Sequence, residues 1–379
     1  MQEGAIPADE LNDAFPSLDL PIKPPFPPQD AKSVAAIPAE PGWFYEQKFD
    51  GFRCLAFRRG KEVVLQSKAG QPLGRYFPEV VNAVQELPRD GFLLDGEIVI
   101  FRGQHLSFDD LLMRIHPAES RIRKLSVETP AVLMCFDLVV EDALALTDLA
   151  FERRRAKLEN FFRGLSDEGM IRISTGSTDL DQAHIWMEEL GNIGLDGVVA
   201  KRLDEPYRSG ERTTMVKIKR LRTADCVVGG FRYAEKGGGI GSLLLGLFND
   251  EGLLDHVGFT SSFNAEQRGE LKAIVERQIG PPGFSGKAPG GPSRWSTKRS
   301  TEWQPLKNKL VCEVQYDHFS GGRFRHGTKF LRWRPEKKPS QCTFEQVQPA
   351  RKMNAPILSA RERTAAAKSD APGSKTKVA

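Results

Sequence analysis

Cysteine is sparse in this chain of 379 residues: five in all, Cys54, Cys135, Cys226, Cys312 and Cys342, with no Cys-x-x-Cys pair among them. Single, scattered thiols argue against a zinc ribbon or a disulfide framework and read as reduced and buried. The six histidines, His105, His116, His184, His256, His318 and His326, show no ligand spacing either, so none is assigned to a metal. No run approaches the roughly 18 consecutive apolar residues that a membrane span needs. The N-terminal MQEGAIPADELNDAF lacks a basic region followed by an apolar one. A soluble, cytoplasmic protein without a membrane partner is therefore expected. No internal repeat is present, and neither sign of charge dominates. The formal net charge is +4 at pH 7 with a pI of about 8.7, which permits a nucleic-acid partner without requiring one.

What the chain does have is 40% apolar residues, enough over this length for two domains with their own cores. Residues 16 to 42 carry a dense run of prolines, PSLDLPIKPPFPPQD, that cannot continue a helix or a central strand. Residues 1–42 are thus expected to be an extended lead-in, with folding proper beginning near Trp43. From there short β-rich runs (FYEQKFDGFRCLAFR, EVVLQS, FLLDGEIVIF, AVLMCFDLVV) alternate irregularly with helical stretches at 150 to 163 and 179 to 191. That pattern fits a mixed, mainly antiparallel α+β domain over 43–222 better than a doubly wound one.

After about Thr223 the style changes to short strands broken by glycine turns, with Asp250-Glu251-Gly252 a hairpin turn and Gly237-Gly238-Gly239 a second connection. Gly237 to Gly241 lack the following helix and lysine of a P-loop, so the turn reading wins. About five strands and one helix near 264 to 279 suit a small OB-type barrel over 223–349. Residues 350–379 are Ala, Lys, Arg and Ser without apolar periodicity, and are expected to form a disordered basic tail.

Chemistry concentrates in an ordered series. Lys48 sits in EQKFDGFR, at the end of an apolar run and before an Asp-Gly turn. A second acidic turn, Leu94-Asp95-Gly96-Glu97, precedes VIF, and a third, Leu195-Asp196-Gly197, leads into VVAKR. A strand with two lysines follows, Met215-Val216-Lys217-Ile218-Lys219. A lone Lys-x-Asp-Gly would be a solvated lysine by a hairpin; the rest of the series changes the balance. A lysine attacks phosphorus only when uncharged, and with an ordinary pKa of about 10.4 it needs nearby positive charge or desolvation. Lys217, Lys219, Arg53 and a metal ion would supply that help while neutralising phosphate oxygens.

In these motifs the chain resembles a covalent nucleotidyltransferase of the DNA ligase family, and within it the compact bacterial ATP-dependent class called ligase C. The likeness runs from about Trp43 to Thr343 through EQKFDGFR, SKAGQPLGRYFPEV, LLDGEIVIF, MCFDLV, GLDGVVAKR with VKIKR, and RWRPEKKP. The resemblance implies that Lys48 is the adenylated nucleophile, with Asp50 supporting it, and that Glu46 accepts from the adenine amino group. Arg53 and Glu97 would hold the ribose, Phe136 and Val199 would sandwich the adenine, and Lys201 would complete the nucleotide site. Phe136 keeps core packing as its rival role. Lys217 and Lys219 would bind the α-phosphate. Asp196 takes the position of the metal-binding acid, with Asp95 and Glu97 as further carboxylates for magnesium, or manganese in its stead. Arg334 and Lys337 of the terminal motif would orient the departing pyrophosphate.

The sequence departs from the family in three places. Lys68 stands where an arginine commonly grips the 5′-phosphate, and so lacks the bidentate fork. Asp196 stands where glutamate is frequent, and Glu336 where aspartate is usual. Lys68, Arg208, Arg220, Arg222, Arg323 and Arg325 are candidates for sequence-independent contacts to the DNA backbone, with a solvated surface face as the alternative for the arginines.

The implied reaction has three steps: Lys48 takes AMP from ATP, AMP passes to a 5′-phosphate, and the 3′-hydroxyl displaces it. Nicked or gapped duplex DNA is the implied partner, with a repair polymerase or primase recruited in trans, a monomeric enzyme, and a role near the bacterial nucleoid in repair. Rival readings are an RNA ligase or capping guanylyltransferase, and a non-catalytic single-strand-binding OB protein. An NAD-dependent ligase would bring a zinc-binding cysteine cluster, which this chain lacks.

Overall fold

The computed structural model describes residues 15–189, 194–234, 239–263, 265–290 and 302–347. The expected tail and Gly237-Gly238 lie outside them. The chain divides into two compact units, the first ending at Lys219 and the second starting at Arg220, slightly before the boundary expected at 223.

The first unit contains β1 (Lys32–Ser33), β2 (Trp43–Lys48), β3 (Phe52–Arg59), β4 (Glu62–Ser67), β5 (Phe92–Arg102) and β6 (His105–Leu106). It continues with β7 (Ala131–Glu141), β8 (Leu144–Ala145), β9 (Ile171–Ile173), β10 (Gly176–Ser177), β11 (Gly197–Arg202) and β12 (Met215–Lys219). Two sheets result. A five-stranded sheet runs β1-β12-β11-β2-β10, and a seven-stranded one follows the path β4-β3-β5-β7-β8 with β6 on β5 and β9 on β7. Pairing is antiparallel except for β1 on β12 and β9 on β7. The two expected helices appear as Phe151–Phe161 and Leu180–Glu189. Three more, Pro78–Gln85, Phe108–Arg114 and Glu119–Glu128, were not foreseen. The first of these opens on Pro78, whose fixed φ and missing N–H suit the first helical turn. Its Val80 and Val84 pack with Leu158 and Phe161 over the larger sheet. A separate core between the sheets joins Tyr45, Val99, Met134, Trp186 and Val198.

The proline-rich segment departs from expectation. It is no free lead-in: Leu18 and Leu20 are buried against Leu55, Phe57 and Leu93, and β1 extends the smaller sheet. Gln29 is buried too, its backbone N–H donating to the Tyr207 hydroxyl at 3.0 Å. Proline excludes a central strand, but an edge strand and apolar anchors between prolines remain open to it.

The Asp-Gly pairs are not hairpin turns. Asp95-Gly96 lies inside β5, and Asp50-Gly51 carries the chain from the smaller sheet to the larger one. Each glycine is required by close backbone approach. A Cβ would come within 2.2 Å of the Ile98 carbonyl oxygen at Gly51, 2.7 Å of the Met134 one at Gly96, and 2.0 Å of the Ile218 one at Gly197.

The second unit holds β13 (Arg222–Tyr233), β14 (Ile240–Phe248), β15 (Leu254–Thr260), β16 (Gln304–Pro305), β17 (Val311–Tyr316), β18 (Phe319–Ser320), β19 (Arg323–Phe324) and β20 (Lys329–Trp333), with a helix at Ala265–Glu276. Its main sheet runs β15-β14-β13-β17-β20. The two edges meet where Thr260 Oγ1 donates to the Thr328 carbonyl at 2.9 Å and Thr328 N–H to Phe259 O at 3.2 Å, curling the sheet into the OB-type barrel. The β14–β15 turn has Gly252 at φ +71° and Asn249 Oδ1 accepting from Glu251 and Leu253 N–H. All five cysteines are buried free thiols. Among the described residues no helix is long and apolar enough to cross a membrane.

Candidate active site

Lys48 ends β2, and β11 pairs beside it so that Gly197 faces Lys48, Val199 faces Glu46 and Lys201 faces Phe44. On its other side β11 sets Val199 opposite Lys217 of β12. Across the gap between the sheets, β3 and β5 oppose Arg53 to Glu97, and β7 adds Phe136. These elements enclose a cavity of ≈ 180 Å³ lined by Asp30, Ala31, Glu46, Gln47, Lys48, Phe49, Arg53, Lys68, Glu97, Phe136, Val199, Lys201, Met215 and Lys217.

The Lys48 ammonium is in contact with Asp196 Oδ2, and Asp196 N–H donates to Lys48 O at 2.9 Å. Lys219 does not reach the cavity wall; its Nζ stands 3.9 Å from the same Asp196 oxygen. Asp50 lies half-buried in the crossing between the sheets, off the wall. Burial pushes the Lys217 ammonium below its usual range. Asp30 opposes this, while Lys68, Lys48 and Lys219 add like-charge repulsion. An anion in the cavity would reverse that strain.

Asp95 stands apart from the cavity. It is wholly buried, with both oxygens occupied: Arg53 donates Nε at 2.5 Å and Nη2 at 2.6 Å, and Tyr207 donates its hydroxyl at 2.7 Å. Asp95 lies off the cavity wall and, in this structure, holds Arg53. Burial works against the charge on Arg53, but Asp95 more than offsets it and the guanidinium shifts upward. Arg53 also donates to Gln29 O at 3.0 Å, and its Cζ lies 4.7 Å from the Phe136 ring centre. Glu97 has no such clasp. Burial pushes its carboxyl up to about 7, with Arg53 and Lys48 opposing.

Lys68 reaches the cavity but is ion-paired at 2.6 Å to Asp30, which Arg212 also holds at 2.9 Å. Burial works to raise the Asp30 carboxyl, but Lys68, the Ala31 N–H and Lys217 overcome it and hold it down to about 2. Asp30, Gln29 and Tyr207 were invisible to sequence reasoning; the only signal was a polar pair inside a proline-rich run. Of the expected DNA contacts, Arg208 is half-exposed 3.9 Å from Glu205, Arg222 opens β13, Arg323 reaches His256 Nδ1 at 3.4 Å, and Arg325 follows β19. Arg334 and Lys337 both converge on Asp225, at 2.8 and 3.1 Å, and Glu336 pairs with Arg334.

A lysine on the wall of a cavity rich in cations, carboxylates and one aromatic face, built between two antiparallel sheets and followed by an OB-type unit, defines a covalent nucleotidyltransferase. Comparison with known proteins narrows the class. The family model described as ATP dependent DNA ligase domain matches residues 28–219, and that of the ATP dependent DNA ligase C terminal region matches 236–337. The chain is 44% identical to DNA ligase C1 of Mycolicibacterium smegmatis, covering 87% of this chain and 96% of that one. It is 40% identical to DNA ligase C of Mycobacterium tuberculosis, with the same two coverages of 87% and 96%. Among solved structures a Lig E DNA ligase superposes with a TM-score of 0.51 at 16% identity, covering 81% of this chain and 99% of that one, a likeness of fold. The chain belongs to the ATP-dependent DNA ligase family, and is an enzyme of that type.

Proposed function

We propose that this ligase takes AMP onto Lys48 and seals breaks in duplex DNA with it, in repair. One arrangement carries the reading: Lys48, its amine paired with the Asp196 carboxylate just off the wall, lines a cavity together with Glu46, Arg53, Glu97, Phe136, Val199, Lys201 and Lys217. Adenine would lie between Phe136 and Val199 with its amino group toward Glu46, and the ribose hydroxyls would donate to Glu97 beside Arg53. Lys217 would bind the α-phosphate, and Lys219 would steady Asp196 from behind, with Asp50 supporting the turn.

Attack requires that Lys48 lose a proton. Asp196 Oδ2 is its acceptor in contact, with Phe49 O a second at 3.5 Å, so Asp196 both aims the amine and offers the proton a place to go. As phosphoryl-type transfer asks mainly for placement and charge compensation, the surrounding cations do the rest.

The residues present fit a divalent cation, because Glu97 stands half-buried on the cavity wall without an ion-paired cation of its own among the described residues, and desolvation shifts its carboxyl toward the neutral form. Asp196 and Glu97 would hold magnesium, or manganese, whose contribution is to neutralise charge on the phosphate oxygens. Arg334 and Lys337 would act on the departing pyrophosphate. Lys68, Arg208, Arg222, Arg323 and Arg325 would grip the backbone of nicked or gapped DNA, the non-specific contact a sequence-blind enzyme needs. A monomer working near the nucleoid, with a repair polymerase or primase in trans, completes the proposal.

The test is incubation with ATP labelled at the α-phosphate and magnesium, then a chase with nicked duplex. A labelled protein that passes its AMP to DNA is expected. Labelling that persists in Lys48→Ala, or labelling by GTP in place of ATP, would overturn the residue roles.

A further inference from the structure

Glu46 is 2% exposed, and its two carboxylate oxygens have different surroundings. Oε1 accepts from Arg155 Nη1 at 3.0 Å and from Ser174 Oγ at 2.7 Å. Oε2 receives no hydrogen bond: Lys201 Nζ is 2.7 Å away as an ion-pair partner, but off the hydrogen-bonding angle, and donates to Phe136 O at 2.9 Å. Arg155 is itself held from several directions. Its Nε donates to Glu159 Oε1 at 2.8 Å one helical turn on, its Nη2 to Ser174 O at 2.9 Å, and its Cζ lies 5.0 Å from the Phe44 ring centre. Gly176, paired with Glu46 across β10 and β2, closes the wall. A Cβ there would fall 2.2 Å from Phe44 Cε1 and 3.2 Å from Glu46 Cγ.

We propose that Arg155 is a positioning residue that sets the base specificity of the nucleotide site. With Ser174 it pins Oε1 of Glu46, so that Oε2, buried and without a hydrogen bond, is left as an acceptor-only atom for a base that enters beside it. A purine carrying an exocyclic amino group at its 6-position supplies the missing donor. One with a 6-oxo group sets lone pair against lone pair, and one with only hydrogen at that carbon leaves the buried oxygen unsatisfied. Arg155 touches no substrate and acts through Glu46. The proposal rests on the adenylation reading above and adds to it a residue from the helix Phe151–Phe161 that no motif marks.

The experiment compares formation of the protein–nucleotide adduct from ATP, purine riboside triphosphate (hydrogen in place of the 6-amino group) and GTP. The proteins are the wild type, Arg155→Gln, Arg155→Lys and Ser174→Ala. In the wild type ATP should be favoured over the 6-hydrogen analogue by about tenfold or more in kcat/KM. In Arg155→Gln that ratio should fall toward one, chiefly through a raised KM for ATP, while the rate with the analogue is kept; Arg155→Lys should recover part of the preference. Equal losses with ATP and the analogue would reduce Arg155 to a structural brace, and an unchanged ratio would remove its role. Should Arg155→Gln not fold, the ratio in Ser174→Ala decides on the same terms. A wild type that labels equally with all three nucleotides overturns the specificity proposal and leaves adenylation standing. A wild type that labels with none overturns both.

Discussion

Lys48 and Asp196, 148 residues apart in sequence, form an ion pair at the end of the smaller sheet because β2 and β11 are neighbours in register. The backbone hydrogen bond from Asp196 N–H to Lys48 O at 2.9 Å locks the same two residues together. The amine is thus aimed before any nucleotide arrives. Lys48→Ala is expected to abolish the AMP adduct, and Lys48→Arg as well, since a guanidinium with pKa above about 12 does not become the neutral nucleophile. Asp196→Ala should slow adduct formation by about 100-fold or more, whereas Asp196→Glu, with the same charge on a longer arm, should keep measurable activity. Quenched single-turnover labelling decides; normal labelling in Asp196→Ala across a magnesium series would remove its role.

Gly197 gives a sharper stability test than any polar residue of the site. Its φ is +144° and a Cβ would lie 2.0 Å from the Ile218 carbonyl oxygen, a backbone atom that cannot swing aside. Gly197→Ala should cost about 2–4 kcal/mol and lower the melting temperature by several degrees, or abolish soluble expression. Gly252→Ala is the control for positive φ alone, with φ +71° but nothing within 4 Å of its Cβ, and should cost only about 1 kcal/mol. Similar melting temperatures for the two variants would show that the strand spacing relaxes.

The contrast explains what was legible in the sequence. Asp-Gly is a strong local hairpin signal, so Asp95-Gly96 and Asp196-Gly197 read as turns in the sequence. What selects glycine at these sites is the carbonyl of a strand far off in sequence, which no local pattern reveals. The motif residues Glu46, Lys48, Arg53, Glu97, Phe136, Val199, Lys201 and Lys217 do line one cavity, because ordered motifs report on chemistry. Their supports were not legible. Arg155 reads as one of three arginines on an ordinary amphipathic helix, Tyr207 as a loop aromatic, and Asp30 as a charge after prolines. The burial of Asp95 and its clasp on Arg53 are not legible either, because burial, unlike residue type, does not show in a short motif.

Tyr207 tests one such support. Its hydroxyl donates to Asp95 Oδ2 at 2.7 Å and accepts the Gln29 N–H at 3.0 Å, so one oxygen ties the proline-rich segment to the clasp on Arg53. Tyr207→Phe keeps the ring and leaves a buried carboxylate oxygen and an amide short of a partner. A loss of about 1–3 kcal/mol in stability is expected, with a raised KM for ATP as Arg53 loosens. Denaturant unfolding and labelling kinetics measure both. An unchanged midpoint would mean that another donor replaces the hydroxyl.

Arg334 and Lys337 share Asp225, which is 8% exposed, so changing them carries a structural cost that has to be separated from chemistry. The double substitution of both by alanine leaves Asp225 unpaired, whereas Asp225→Asn in the same background removes that stranded charge. In the triple variant stability should recover toward the wild type, while AMP attachment from ATP stays depressed and sealing of a nick already carrying 5′-AMP is largely spared. Equal damage to both steps in a stable triple variant would assign the two cations to DNA binding instead.

Glu97 supplies a pH dependence whose sign follows from its surroundings. Burial lifts its carboxyl to about 7, with Arg53 and Lys48 opposing and Asp50 and Asp95 adding repulsion. A folded-state value above the unfolded one means that the folded protein binds the proton more tightly. This acid's contribution to stability is therefore fully present below the unfolded value near 4.5, and is lost as pH rises through about 7. Ligand binding runs the other way. Ribose hydroxyls donate best to the carboxylate, so affinity should climb with pH up to about 7, by at most tenfold per unit, and level off above it. Adenosine is the appropriate ligand, because it carries no phosphate that titrates in the same range. Calorimetry between about pH 5.5 and 8.5 (roughly 1.5 units on either side of the transition) should show proton release on binding below pH 7 in the wild type and none in Glu97→Gln. A wild-type affinity flat across this range, or a slope that survives in Glu97→Gln, would mean that Glu97 does not hold the ribose as a carboxylate.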